Sequence, residues 1–277
     1  MSSRLPFGPD QSELQNALFL AHCANAAYER GKFSDYLHYP QIAFDQVESF
    51  EGPNDTQGFV GATDQAIVLA FRGTEADRWT DWCTDLNSLQ RLWNNCQVHS
   101  GFSQAHDGVA KQYLEIIRRL RMNQQAIYVT GHSLGGALSI LAGKVLATCA
   151  EEGEDFKPNL VVSFGAPKVG DTRFVSTYGV TLLRFVHNED IIPHVPPMGQ
   201  YSDGGSLLYF KADGSLSYNV NEIATTLNRL KNAVTAILTA KGRISDLVPN
   251  WIQDHVMERY IERLTAMIQK ESLQPAS

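Results

Sequence analysis

The 277-residue chain is short of positive charge: 23 Lys and Arg stand against 30 Asp and Glu, a formal net charge of −7. Nucleic-acid binding draws its affinity from basic side chains that release phosphate counterions, so no nucleic-acid partner is expected. Cysteine is scarce as well. Cys23, Cys83, Cys96 and Cys149 form no CxxC and no Cys/His zinc spacing, so neither a structural metal nor a redox motif is expected. Spacing alone leaves open whether Cys83 and Cys96 pair. No apolar run approaches the roughly 18 residues of a spanning helix, which argues against an integral membrane protein. The opening residues MSSRLPFGPDQSE lack an apolar signal core. A reducing cytoplasm is therefore the default expectation, with secretion the alternative if a leader has been removed. Repeats, low-complexity tracts and long linkers are also missing, which favours one domain over residues 1–277.

What is present is a core-forming composition, 43% hydrophobic and 19% charged, which rules out a disordered chain. Leu14, Ala17, Leu18 and Ala21 mark an opening amphipathic helix. Strand-like runs follow in QIAFDQVESF, TQGFVGAT and AIVLAF. Helical periodicity covers Phe102 to Met122, a short buried strand covers AIYVT at 126–130, and another helix carries Leu138, Leu141, Ala142, Val145 and Leu146. LVVSFG at 160–165 and TLLRFVH at 181–187 read as two further buried strands. Turn signals at 200–219 suggest a hairpin. Leu227, Leu230 and Val234 mark one late helix; Met257, Tyr260, Ile261, Leu264 and Ile268 mark the last. Apolar strands alternating with amphipathic helices predict an α/β fold, a mostly parallel sheet covered on both faces.

Gly131-His132-Ser133-Leu134-Gly135-Gly136 fits G-x-S-x-G, with an apolar strand before it and an Ala/Leu-rich helix after it. In that setting the serine sits on a sharp turn, and a Cβ at either flanking glycine would collide with a neighbouring strand or helix. A serine hydroxyl needs a base. Partners in such folds follow in the order Ser, acid, His. Only His187, His194 and His255 lie beyond Ser133. His187 falls in or at the end of a strand, and His194 lies on a Pro-flanked segment awkwardly close to the best acid. His255 is therefore the expected base. Asp190, just past the strand 181–187, is the expected acid, with Asp171 the runner-up. Asp203 and Asp213 read as turn residues, and Asp254 as a first-turn helix charge. His187, Asp190 and His194 could also be read as metal ligands, but Pro193, Pro196 and Pro197 break any helix that would align them, so no metal is expected.

Phe71-Arg72-Gly73-Thr74, Val98-His99-Ser100-Gly101-Phe102, GHSLGG at 131–136, FGAPKVGD at 164–171 and NEDIIPHVPP at 188–197 occur in one order over about residues 60–200. This collinear set resembles the class 3 lipases, α/β-hydrolases typified by filamentous-fungal triacylglycerol lipases. The resemblance implies an α/β-hydrolase fold, Ser133 as nucleophile, Asp190 as acid and His255 as base. It also implies an oxyanion hole from Thr74 and the N–H of Leu134, and a lid at about 75–97. The stretch 200–250 departs from the family pattern, with an additional amphipathic helix.

Trp79, Trp82, Leu86, Leu89 and Trp93 recur at helical spacing within the implied lid, and an apolar face closing over a site would use such a stripe. The expected function is hydrolysis of carboxylic esters of apolar acyl chains, with no cofactor. The expected partners are an ester or lipid substrate and a transient lipid interface. Rival readings are a short-chain or feruloyl-type carboxylesterase, a phospholipase, a peptidase, and a non-catalytic lipase-fold binding protein.

Overall fold

The computed structural model describes residues 5–29, 41–74, 89–196, 199–218, 220–240 and 250–272. Helix α1 (Glu13–Ala26) opens it, capped by Ser12, whose Oγ accepts from Gln15 N while the Gln15 side chain returns a bond to Ser12 N. Strands β1 (Gln46–Gly52), β2 (Thr56–Ala62) and β3 (Ala66–Phe71) follow. Strands β4 (Gln90–Trp93) and β5 (Cys96–His99) form a separate hairpin. Then come α2 (Ser100–Leu120), β6 (Ala126–His132), α3 (Leu134–Glu151), β7 (Leu160–Phe164), α4 (Thr172–Ser176) and β8 (Leu182–His187). The chain ends with β9 (Ser206–Phe210), β10 (Leu216–Ser217), α5 (Val220–Ala240), α6 (Trp251–His255) and α7 (Met257–Ser272).

The main sheet has the order β1-β2-β3-β6-β7-β8-β9-β10. It is parallel from β3 through β9 and antiparallel at both ends. Parallel neighbours require a crossover, and α2, α3 and α4 lie in three of those connections. Alternation along the strands divides the core into two layers. Ile67, Leu69, Phe71, Ile127 and Val129 face Val109, Tyr113, Ile117 and Leu141 of α2 and α3. Val68, Ala70, Tyr128, Phe164 and Phe185 face Leu20 of α1 and Tyr260 and Leu264 of α7. Burial on both faces is why these strands read as continuous apolar runs. Each fully buried Ile, Leu or Phe contributes about 1.5–3 kcal/mol.

Two expectations need correction. One stretch does reach span length: α3 is 18 residues long and apolar enough to cross a membrane, yet 61% of it is buried in the protein's own core. The helical stripe of the implied lid also fails at its C-terminal end. Trp79, Trp82 and Leu86 lie outside the described residues. Leu89 stands before β4 with 66% of its surface exposed, whereas Trp93 ends β4 and is buried. A tight turn explains the break: Asn94 and Asn95 both have positive φ (46° and 63°), and Trp93 pairs with Cys96 across them. That is the hairpin chemistry Asn favours. The Trp93 indole donates to Asp107 at 3.0 Å and Arg91 binds both Ser103 and Asp107, so the hairpin is fastened to α2. Cys83 lies outside the described residues, and buried Cys96 has its Sγ 3.9 Å from Thr177 Oγ1.

Candidate active site

β6 delivers Ser133 at the carboxyl edge of the sheet. Its backbone is at φ 56°, ψ −126°, outside the regions an L-residue favours, and α3 starts at the next residue. Packing holds that strain in place. Ser133 N donates to Phe164 O at 2.9 Å. A Cβ at Gly131 would lie 2.2 Å from Gly135 O, and one at Gly135 would lie 2.4 Å from Phe71 O. The first glycine lets the helix fold back on its own strand, and the second lets the helix start touch β3. The same register, Phe71 beside Gly131, brings Phe71-Arg72-Gly73-Thr74 to the serine turn. Leu134 opens α3. Ser133 Oγ is buried and makes no hydrogen bond among the described residues.

Asp190 and His255 meet beside this turn although 65 residues separate them. His255 Nδ1 lies 2.9 Å from both Asp190 oxygens, and both side chains are fully buried. Asp190 also accepts from Tyr260 Oη at 2.5 Å and from Ile192 N at 3.0 Å. As an ionised carboxylate Asp190 accepts from all three groups, which puts the imidazole proton on Nδ1. Burial pushes the Asp190 carboxyl up, and the bonds from Tyr260 and Ile192 oppose that push. Burial also disfavours imidazolium and holds His255 down at about 3. Gly165, at φ 56°, makes room for the pair: a Cβ there would approach Asp190 Oδ2 at 2.7 Å and the His255 ring at 2.9 Å.

Motif residue His132 joins the serine turn to His255. Its ring centroid is 4.6 Å from that of His255, and its Nε2 lies 2.6 Å from His255 O. A carbonyl can only accept, so Nε2 carries the proton and Nδ1 accepts from Tyr28 Oη at 2.7 Å. Burial, seconded by the neighbouring His255, holds His132 down at about 3.

The other sequence candidates have separate partners. Asp171 caps α4, accepting from Phe174 N at 2.8 Å. Asp203 lies 3.3 Å from Arg184, and Asp213 accepts from Ser215 N in a turn. His194 is buried in a short 3-10 segment, Ile192–His194, and its carbonyl accepts from Lys168 Nζ. His187 faces Asp254 and Arg263 instead of Asp190. Asp254 is the first-turn acid of α6, as expected, and it also contacts residues 187–189. Sequence reading missed Tyr28, His132 and Tyr260 as site neighbours. Only His132 carried a signal, its place inside the serine motif.

The model of the class 3 lipases matches residues 68–200. A lipase from Rhizopus niveus is 35% identical over 155 residues, covering 52% of this chain and 38% of that protein. A secreted mono- and diacylglycerol lipase from Fusarium solani is 31% identical over 190 residues, covering 64% and 55% respectively. The chain thus spans well under two thirds of these relatives' length. Among solved structures, lipase II from Rhizopus niveus superposes with a TM-score of 0.63 at 26% identity, over 72% of this chain and 81% of that one. The architecture is that of the α/β-hydrolases, as the motif order implied.

Proposed function

We infer from the match of residues 68–200 to the class 3 lipase family that the protein is a serine hydrolase acting on carboxylic esters of apolar acyl chains. The observation that carries this reading is the fully buried Asp190–His255 contact at 2.9 Å, set beside a serine held at positive φ. Ser133 Oγ attacks the ester carbonyl as His255 Nε2 takes its proton, and Asp190 holds the ring in the required tautomer and stabilises the imidazolium that forms. A base must be neutral before it acts, and burial keeps His255 neutral at neutral pH. The N–H groups of Thr74 and Leu134 serve the oxyanion, each worth about 10²–10³ in turnover. His255 returns the proton to the leaving alcohol, and water then cleaves the acyl-enzyme by the same steps.

An apolar acyl chain is the substrate class favoured by the names of the relatives, which include lipases, a mono- and diacylglycerol lipase and, at 27–30% identity, phospholipases A1. Trp79, Trp82 and Leu86 are the side chains proposed to meet that chain at a lipid interface, within a lid reduced from 75–97 to the part before β4. The relatives give the cytoplasmic expectation no support; one is secreted by name, which favours the secreted alternative. The test is a series of p-nitrophenyl esters from acetate to palmitate, with wild type and Ser133→Ala. The expected result is hydrolysis that strengthens with acyl length in wild type and is absent in the variant. A maximum at acetate replaces the lipase reading with the short-chain esterase one. Activity that survives Ser133→Ala removes the nucleophile.

A further inference from the structure

The element that carries His255 has little of its own to hold it. α6 is five residues long, its N-cap Asn250 makes no side-chain cap bond, and the chain turns extended at Val256 (φ −66°, ψ 142°) before α7. One helical turn is unstable without outside contacts. Beside the contacts of His255 with His132 and Asp190, the adjacent residue, Asp254, supplies three of them. Its Oδ2 accepts from the backbone N–H of Glu189 and from Asn188 Nδ2, both at 3.0 Å, and its Oδ1 lies 3.0 Å from His187 Nδ1. These three residues lead from the end of β8 into the turn that bears Asp190, which is closed by Asp190 N donating to His187 O at 2.7 Å. Asn188 has φ 23°, a conformation that needs support from its surroundings. Arg263 Nε donates to His187 Nε2 at 3.1 Å, which leaves the ring proton on Nδ1, the nitrogen 3.0 Å from Asp254 Oδ1.

Two adjacent pairs are therefore clipped together: Glu189-Asp190 on one strand end and Asp254-His255 on the short helix. Fixing 254 to 189 fixes 255 to 190. We propose that Asp254 is a positioning residue that sets the register between the acid and the base, with His187 as its backing; this rests on the hydrolase reading above. Asp254 touches no reacting atom. Its effect reaches the reaction only through where His255 stands.

The experiment is a mutant cycle read on soluble p-nitrophenyl butyrate, with kcat and KM separated, for Asp254→Ala, His255→Ala and the double variant. Misplacing a catalytic group by about 1 Å costs on the order of 10²-fold, so kcat in Asp254→Ala is expected to fall by about that factor with KM within about twofold. On the His255→Ala background the same substitution is expected to change kcat by less than about twofold, because the pathway it supports is gone. An equal fractional loss in both backgrounds, or wild-type kcat in Asp254→Ala, overturns the proposal. If Asp254→Ala does not fold, Asp254→Asn, which keeps one acceptor oxygen and loses the other, takes its place in the same cycle. Wild-type kcat there overturns the proposal equally. Fluorophosphonate labelling of wild type, run alongside, separates the two failures: a wild type that does not label sinks the hydrolase reading itself, whereas a labelling wild type with an additive cycle sinks only the role of Asp254.

Discussion

Ser133 and His255 reach the same spot by opposite means. The serine turn is made locally: within six residues, two glycines permit a backbone crossing that no Cβ would allow, and the strand and helix on either side are continuous and buried. The histidine is made at a distance. Its helix is one turn long, and its place is set by Asp190, by Asp254 bound to the turn at 188–189, and by His132 bound to its carbonyl. Steric codes are short and readable, whereas hydrogen-bonded codes depend on which remote segments the fold brings together.

The comparison breaks most visibly at the glycines. Gly131→Ala places a methyl 2.2 Å from Gly135 O, so ester hydrolysis is expected to drop at least about 10²-fold, with a lower melting temperature. Normal activity would show that the turn is not sterically coded. Next in size is Tyr260→Phe. The tyrosine O–H favours the ionised Asp190, so its loss raises the carboxyl pKa and activity should disappear at a higher pH as the solution is acidified. The measurement is the acid limb of kcat/KM, which should move upward relative to wild type. A smaller effect is expected from Tyr28→Phe, which removes the donor to His132 Nδ1. A neutral hydrogen bond of about 0.5–1.5 kcal/mol corresponds to a kcat loss of roughly 2–13-fold. An unchanged kcat would mean that His132 holds its position without help.

The smallest expected effect sharpens the contrast from outside the site. Against the raising effect of partial burial, hydrogen bonds from His106, Trp93 and Arg91 hold Asp107 at about 2, below its ordinary 3.8. A depressed carboxyl contributes stability above its unfolded pKa, and that contribution is lost as pH falls through the folded value. Asp107→Asn is therefore expected to lower the melting temperature by about 2–4 °C at pH 7 and by progressively less as the pH falls through 2, with kcat unchanged at neutral pH. A kcat change would mean that the β4–β5 hairpin communicates with the triad.

The same division explains what the sequence disclosed. The sheet strands, the long helices and the serine turn follow from periodicity and from Gly131 and Gly135, which act over a few residues. The hairpin was hidden because Trp93 happens to continue a helical spacing, although Asn94-Asn95 carried the turn signal. Tyr260 looked like an ordinary core aromatic of the last helix and Tyr28 drew no reading, since nothing near them in the chain reveals a hydroxyl aimed at Asp190 or His132. Asp254 looked like a helix-dipole charge for the same reason: its partners lie 65 and 66 residues away.

The most direct measurement is mass spectrometry of the detergent-treated protein after reaction with a fluorophosphonate. One adduct is expected, on the tryptic peptide containing Ser133, absent in Ser133→Ala and formed far more slowly in His255→Ala. No adduct, or an adduct on another serine, would contradict Ser133 as the nucleophile.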